Sequence, residues 1–274
     1  MKSRLLFALA LAAAPRLFAA NPAKAVVDEV KRYGSDAAAI ARAPLTWDEA
    51  MWRKVALITA LDVDLFAADE SIARVAQRNR THASEEFANA VTPFGGGRAL
   101  QLSAATVIVG LVTRNPRLRD TGRDAIEASI FASGIVTPAI KNSVGRSRPF
   151  ENEGAFAFDP FSRNESFPSG HATNAFAVAS VFAAHSDGWV VPAIAYTLAS
   201  GVAAARIHDN VHFASDVVAG AAIGTAMGRS IVARHKRAAV SGATEPPRVT
   251  WTVVPVRGGA AVAVSIPTSI IRFP

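Results

Sequence analysis

The chain has 274 residues, half of them hydrophobic, and carries a formal net charge of +7. It contains no cysteine, which excludes a disulfide framework and thiolate chemistry. The positive charge is spread along the length, and no basic run is interleaved with aromatics, so nucleic acid is set aside and an anionic substrate or membrane surface fits better.

The first residues read as an export signal. Lys2 and Arg4 open it, Leu5 to Ala14 form a short apolar run, and Ala19, Ala20, Ala23 and Ala25 offer cleavage sites. Residues 1–25 are therefore expected to be a signal peptide, with an uncleaved amphipathic anchor as the alternative. A periplasmic or membrane-associated location follows, with the active site on the non-cytoplasmic side.

Residues 26–234 read as one helical domain. Val26 to Leu45 is mixed and helical, with a break at Pro44. Apolar, alanine-rich segments follow at about Val55–Ala68, Ala99–Thr113, Ala125–Ile140, Ala172–Ala184, Trp189–Ala205 and Val217–Val232, separated by Gly and Pro. The expected class is all-α, a helical bundle. Asp62, Asp64 and Glu127 interrupt the apolar runs, and most fall short of the ~20 residues a membrane span needs. Those lengths favour a soluble exported bundle over a polytopic membrane protein, with Trp189–Ala205 the nearest to a span. Residues 235–248 read as a linker. Val249–Val256, Arg257-Gly258-Gly259 and Ala260–Ile266 read as a short β-hairpin within a C-terminal extension, 249–274.

Three clusters carry chemistry. Lys141, six residues and then Arg148-Pro149 place a point charge and a planar fork near one helix end. Pro168-Ser169-Gly170-His171 precedes an apolar run: Ser169 suits an N-cap, the amide of Gly170 an anion, and His171 a proton donor. Arg206, five residues, His212, three residues and Asp216 complete the set. On a helix, His212 and Asp216 would share a face, and a carboxylate on Nδ1 leaves Nε2 free to attack. Each cluster alone also fits a bland reading: a solvated basic helix end, an ordinary serine cap, an inert His–Asp pair. His208 could line the pocket; His82, His185 and His235 lie outside any motif. No histidine spacing makes a convincing metal site, so no metal is expected.

Taken together, the three segments resemble the signature of the type-2 phosphatidic acid phosphatase and vanadium haloperoxidase superfamily, which includes bacterial non-specific acid phosphatases. The match spans about Lys141 to Asp216 and departs from the family pattern at Ala205, where the family has serine before the arginine. The resemblance implies a helical bundle of the acid phosphatase/haloperoxidase type. It also implies that Lys141, Arg148, Ser169, Gly170 and Arg206 bind phosphate, and that His212, oriented by Asp216, attacks phosphorus. His171 would protonate the leaving oxygen. It implies hydrolysis of phosphomonoesters or pyrophosphates, on a phosphorylated lipid or a small soluble ester, with no cofactor; vanadate would act only as an inhibitor or phosphate mimic. The alternatives are a vanadium-dependent haloperoxidase and a non-catalytic envelope protein with the same fold.

Overall fold

The computed structural model describes residues 22–240, 250–256 and 259–265. The signal segment expected within residues 1–25 lies almost wholly outside the described residues. The chain divides into two compact units, residues 1–232 and 233–274.

Among the described residues, the first unit is built from helices joined by turns and loops. Its elements are α1 Pro22–Arg42, α2 Glu49–Arg78, α3 His82–Val91, α4 Gly97–Val112, α5 Pro116–Ser129, α6 Thr137–Val144, α7 Gly170–His185, α8 Val190–His208 and the greater part of α9, Ala214–Val240. Caps mark the starts: Asp48 accepts from Met51 N at 2.8 Å, Thr81 and Ser84 form a reciprocal box, and Asn115 accepts from Leu118 N. Between α5 and α6 the residues Ile130–Val136 form a widened π-type turn, so the two helices continue one another with an extra bulge. The core is built from Ile126, Phe131, Val181, Ile231 and Val232 with small residues between them.

Helix α9 meets α7 at very close range because of glycine. A Cβ at Gly224 would fall 2.2 Å from Thr173 O, and one at Gly220 2.7 Å from Ser169 O. Glycine every fourth residue gives α9 a smooth stripe, the small-residue means by which helix backbones approach. The contact brings the start of α9 against the start of α7, where two of the three clusters lie.

A buried ionic network joins α1 to the bundle. Arg32 lies 2.7 Å from Glu127 and 3.0 Å from Glu29, Arg123 lies 2.5 Å from Glu29, and His185 lies 2.8 Å from Asp124. Glu127, which interrupts an apolar segment in the sequence, is thus placed inward against a guanidinium.

Among the described residues, two helices, Val190–His208 and Ala214–Val240, are long and apolar enough to cross a membrane, and His82–Gly95 with Gly97–Val112, bent by 55°, qualify together. This revises the expectation of a soluble bundle. Counting uninterrupted apolar runs cut α8 and α9 short, because the helices continue through residues that break the run. Large apolar side chains also face outward, among them Leu61, Ile108, Val112, Trp189 and Ile194. Such a surface fits association with a membrane.

The second unit contains the last turns of α9 and the hairpin. Residues 235–240, read as the start of a linker, are helical. Strands β1 Thr250–Val256 and β2 Gly259–Ser265 pair antiparallel, with Val253 opposite Val262.

Candidate active site

Ser169 is the N-cap of α7, its hydroxyl accepting from Ala172 N, and its own N–H donates to Asp216 O at 2.8 Å. The second and third clusters are therefore tied backbone to backbone. Gly170 lies beside the first: a Cβ there would come 4.0 Å from Lys141 Cε. Lys141 ends near the C-terminus of α6, with its ammonium donating to Glu165 O. Past it, Gly145 takes a left-handed conformation (φ 61°), where a Cβ would lie 1.7 Å from Asp159 O. That turn starts a strapped loop in which Ser147 N donates to Ala157 O at 3.0 Å and Ser166 N to Arg146 O at 2.9 Å.

His212 is buried and precedes α9 rather than lying on it. The helical-face argument for His212 and Asp216 therefore gives way to a turn into the helix, yet the pair still meets. His212 Nδ1 is 3.6 Å from Asp216 Oδ2, within ion-pair range and slightly beyond a hydrogen bond. Nε2, across the ring, is turned away from the carboxylate.

The electrostatics converge on the two imidazoles. His171 is pushed down to about 4, first by burial and then by Arg206, His212, Lys141 and Arg148. His212 is held below the ordinary histidine range by burial, with Lys141 and Arg148 adding to the effect and Asp216 opposing it. Lys141 is lowered to about 8, mainly by burial and then by Arg148. All three cations singled out in the sequence thus act on His171. The pocket resists protonation first because it is buried and then because it gathers positive charge, and the second cause suits it to an anion.

Arg206 donates to Thr92 Oγ1 at 2.6 Å and also to Asp209. Ala205, the departure from the family pattern, is buried with Ala88, Val91 and Val202, so a methyl stands at a packing position. His208 is engaged elsewhere: Nε2 lies 2.9 Å from Ser84 Oγ and Nδ1 3.2 Å from Asp209.

Sequence reasoning missed what holds Asp216. Its Oδ1 accepts from Arg146 at 2.7 Å; its Oδ2 accepts from Ser166 Oγ at 2.6 Å and from Phe213 N at 2.8 Å. Arg146 is fully buried, lies 4.2 Å from the ring of Phe66 and 4.3 Å from that of Phe213, and also donates to Asp69 at 2.7 Å. Asp69, on α2, accepts in addition from Ser215 N and Ser215 Oγ. One guanidinium is thus shared by two buried carboxylates, one of which faces the candidate nucleophile. Asp62, seven residues before Asp69 on the same face of α2, is raised to about 6 by burial and then by Asp69 and Asp216. The available signal was the spacing of acids on an apolar helix: Asp62 and Asp69 are buried whereas Asp64 is exposed.

Residues 125–239 match the family model of the PAP2 superfamily. A lipid A 1-phosphatase of Rhizobium etli is 29% identical over 198 residues, covering 66% of this chain and 82% of the relative. A lipid A 1-phosphatase of Rhizobium johnstonii is 38% identical over 101 residues, 35% of this chain and 41% of the relative. Among solved structures, the transmembrane PAP2-type phosphatidylglycerolphosphate phosphatase of Bacillus subtilis has a similar fold. Its TM-score is 0.52 at 23% identity, over 66% of this chain and 96% of that one.

Proposed function

We propose that this chain, whose residues 125–239 match the PAP2 superfamily model, is a membrane-associated phosphatase that removes phosphate from a lipid through a phosphohistidine at His212. The observation that carries this reading is the convergence of His171, His212 with Asp216, and the cations Lys141, Arg148 and Arg206 on one site. The names of the lipid A 1-phosphatase relatives support a phosphorylated lipid over a small soluble ester.

Lys141, Arg148 and Arg206 hold the phosphoryl oxygens, with the start of α7 at Ser169 and Gly170 adding backbone N–H groups. His212 is held below the ordinary histidine range, which favours the neutral ring whose Nε2 carries a lone pair. It attacks phosphorus, the bond from phosphorus to the lipid oxygen breaks, and that oxygen takes a proton from His171. Water then attacks the phosphohistidine, giving its proton to His171; phosphate leaves and His212 is restored. Burial and then the surrounding cations hold the proton affinity of His171 low, and a bound phosphate dianion opposes the second cause, which favours the protonated acid the step needs. Fixed cations neutralise the equatorial oxygens, and no step calls for a metal. Asp216 orients His212, and Arg146 with Asp69 keeps Asp216 in place.

The test uses full-length protein in detergent. Phosphate release is measured from lipid A, phosphatidic acid, a polyprenyl pyrophosphate and p-nitrophenyl phosphate, with and without EDTA. Release that persists in EDTA, is fastest on a lipid and is blocked by vanadate is expected. Activity lost to EDTA and restored by a divalent ion contradicts the metal-free mechanism, and preference for the nitrophenyl ester contradicts the lipid assignment. Bromide oxidation by the vanadate-loaded protein with peroxide, and no phosphate release, would make it a haloperoxidase instead.

A further inference from the structure

Helices α7 and α8 carry the two sides of the site and then continue as something else. On α7, Ala175, Val178, Ala179 and Phe182 follow His171 by 4, 7, 8 and 11 residues, which places them on its stripe of the helix. On α8, Val202, Ala199 and Ala195 precede Arg206 by 4, 7 and 11 residues and lie on that residue's stripe. Most of these side chains, with Leu102 of α4 and Phe94 as further walls, line a cavity of about 180 Å³ that has no charged residue in its lining. Eleven residues of helix reach about 16 Å from His171 to Phe182.

The turn between α3 and α4 lies at the junction of cavity and site. Gly95 is seated so closely between the two helices that a Cβ would be 2.7 Å from Val202 Cγ1 and 2.8 Å from His171 Cβ. Asn174 holds the turn by donating to Gly95 O at 3.2 Å. Gly96 and Gly97 follow: a Cβ at Gly96 would come 3.6 Å from His171 Nε2, and one at Gly97 would meet nothing within 4 Å. A shelf without side chains therefore lies between the candidate proton donor and an apolar slot.

We infer that the slot between α4, α7 and α8 seats an acyl chain of the substrate, which crosses the Gly96–Gly97 shelf with its phosphate at His212. This rests on the proposed phosphatase reading and adds where the lipid is gripped. The occupant follows from complementarity along a single line: three cations and two imidazoles at one end, and only hydrocarbon beyond. An amphiphile with an anionic head and a saturated chain matches both ends, whereas a short polar ester matches one.

The experiment uses the full chain in detergent and a series of alkyl phosphates from ethyl to dodecyl. The wild-type protein is expected to show kcat/KM rising with chain length. Ala195→Trp, at a partly exposed wall position, fills the slot and should lower the dodecyl-to-ethyl ratio of kcat/KM about tenfold, as lost chain burial requires. Leu102→Ala, on the opposite wall, should flatten the same slope by removing contacts and checks against a folding defect in the first variant. A ratio unchanged in both variants, or no chain-length dependence in the wild type, overturns the slot. Alkylphosphonates from ethyl to dodecyl, which are not hydrolysed, read the slot apart from turnover. Stabilisation of the wild type that grows with chain length, in a protein that hydrolyses none of the phosphates, would defeat the phosphatase reading and keep the slot. Stabilisation independent of chain length would defeat the slot.

Discussion

Two buried ionic networks among the described residues differ in what they hold. Under the site, a single guanidinium, Arg146, sits between Asp69 and Asp216, and each carboxylate is further saturated by hydroxyl or backbone donors. At α1, two arginines and a histidine meet three acids: Arg32, Arg123 and His185 against Glu29, Asp124 and Glu127. The carboxylates are buried in both, so a buried acid alone does not mark function. The first network ends on the imidazole of His212, and the second ends on other helices of the scaffold. A buried salt bridge is weak evidence for stability, since desolvation offsets attraction. Its value lies in fixing one arrangement, and here one arrangement fixes a reactive group and the other a helix.

The sharpest way to break this contrast is to remove Arg146. Arg146→Met leaves Asp69 and Asp216 facing one another in a dry site, a change of about 3–5 kcal/mol in stability with loss of nearly all turnover. Thermal unfolding and phosphate release report the two effects; a variant that keeps wild-type turnover would show that Asp216 needs no anchor. Asp69→Asn preserves shape and is milder. Outer partners of functional histidines typically contribute 10–100-fold, so kcat should fall by about that factor with KM nearly steady. Glu127→Gln perturbs the other network: the melting temperature should drop while kcat of the folded protein stays within about twofold. Equal losses of kcat in Asp69→Asn and Glu127→Gln would erase the distinction between the regions.

The smallest expected effect concerns pH. Lys141 is lowered to about 8, so it is charged below that pH and loses its charge above it. The cradle weakens as it does, and kcat/KM should decline through an alkaline limb near pH 8. Lys141→Arg keeps the charge and should move that limb upward. A limb that stays in place in the variant belongs to another group.

Much of the site was legible because its parts are local. Pro168-Ser169-Gly170-His171 marks a helix start, and a cap needs only neighbours in sequence, so Ser169 and His171 are where the sequence puts them. The three clusters come together as their resemblance to the family implied. The helical class was equally readable, since alanine-rich apolar segments between Gly and Pro have few other solutions. What the sequence concealed depends on distance along the chain. Asp69 and Arg146 are separated by 77 positions, and only folding reveals that an acid and a base of unrelated segments neutralise each other. Glu127 was read as a break in an apolar run for the same reason: its partner, Arg32, lies on α1. The membrane-length helices were underread because a polar residue ends a run of apolar letters without ending a helix.

The nucleophile itself can be caught directly. Mixing full-length protein with a lipid phosphate labelled at phosphorus and quenching in alkali within milliseconds should leave label on the protein, stable to base and labile to acid, at His212 by peptide mapping and missing from His212→Ala. Label on another residue, or turnover with no labelled protein at any time, would contradict attack by His212.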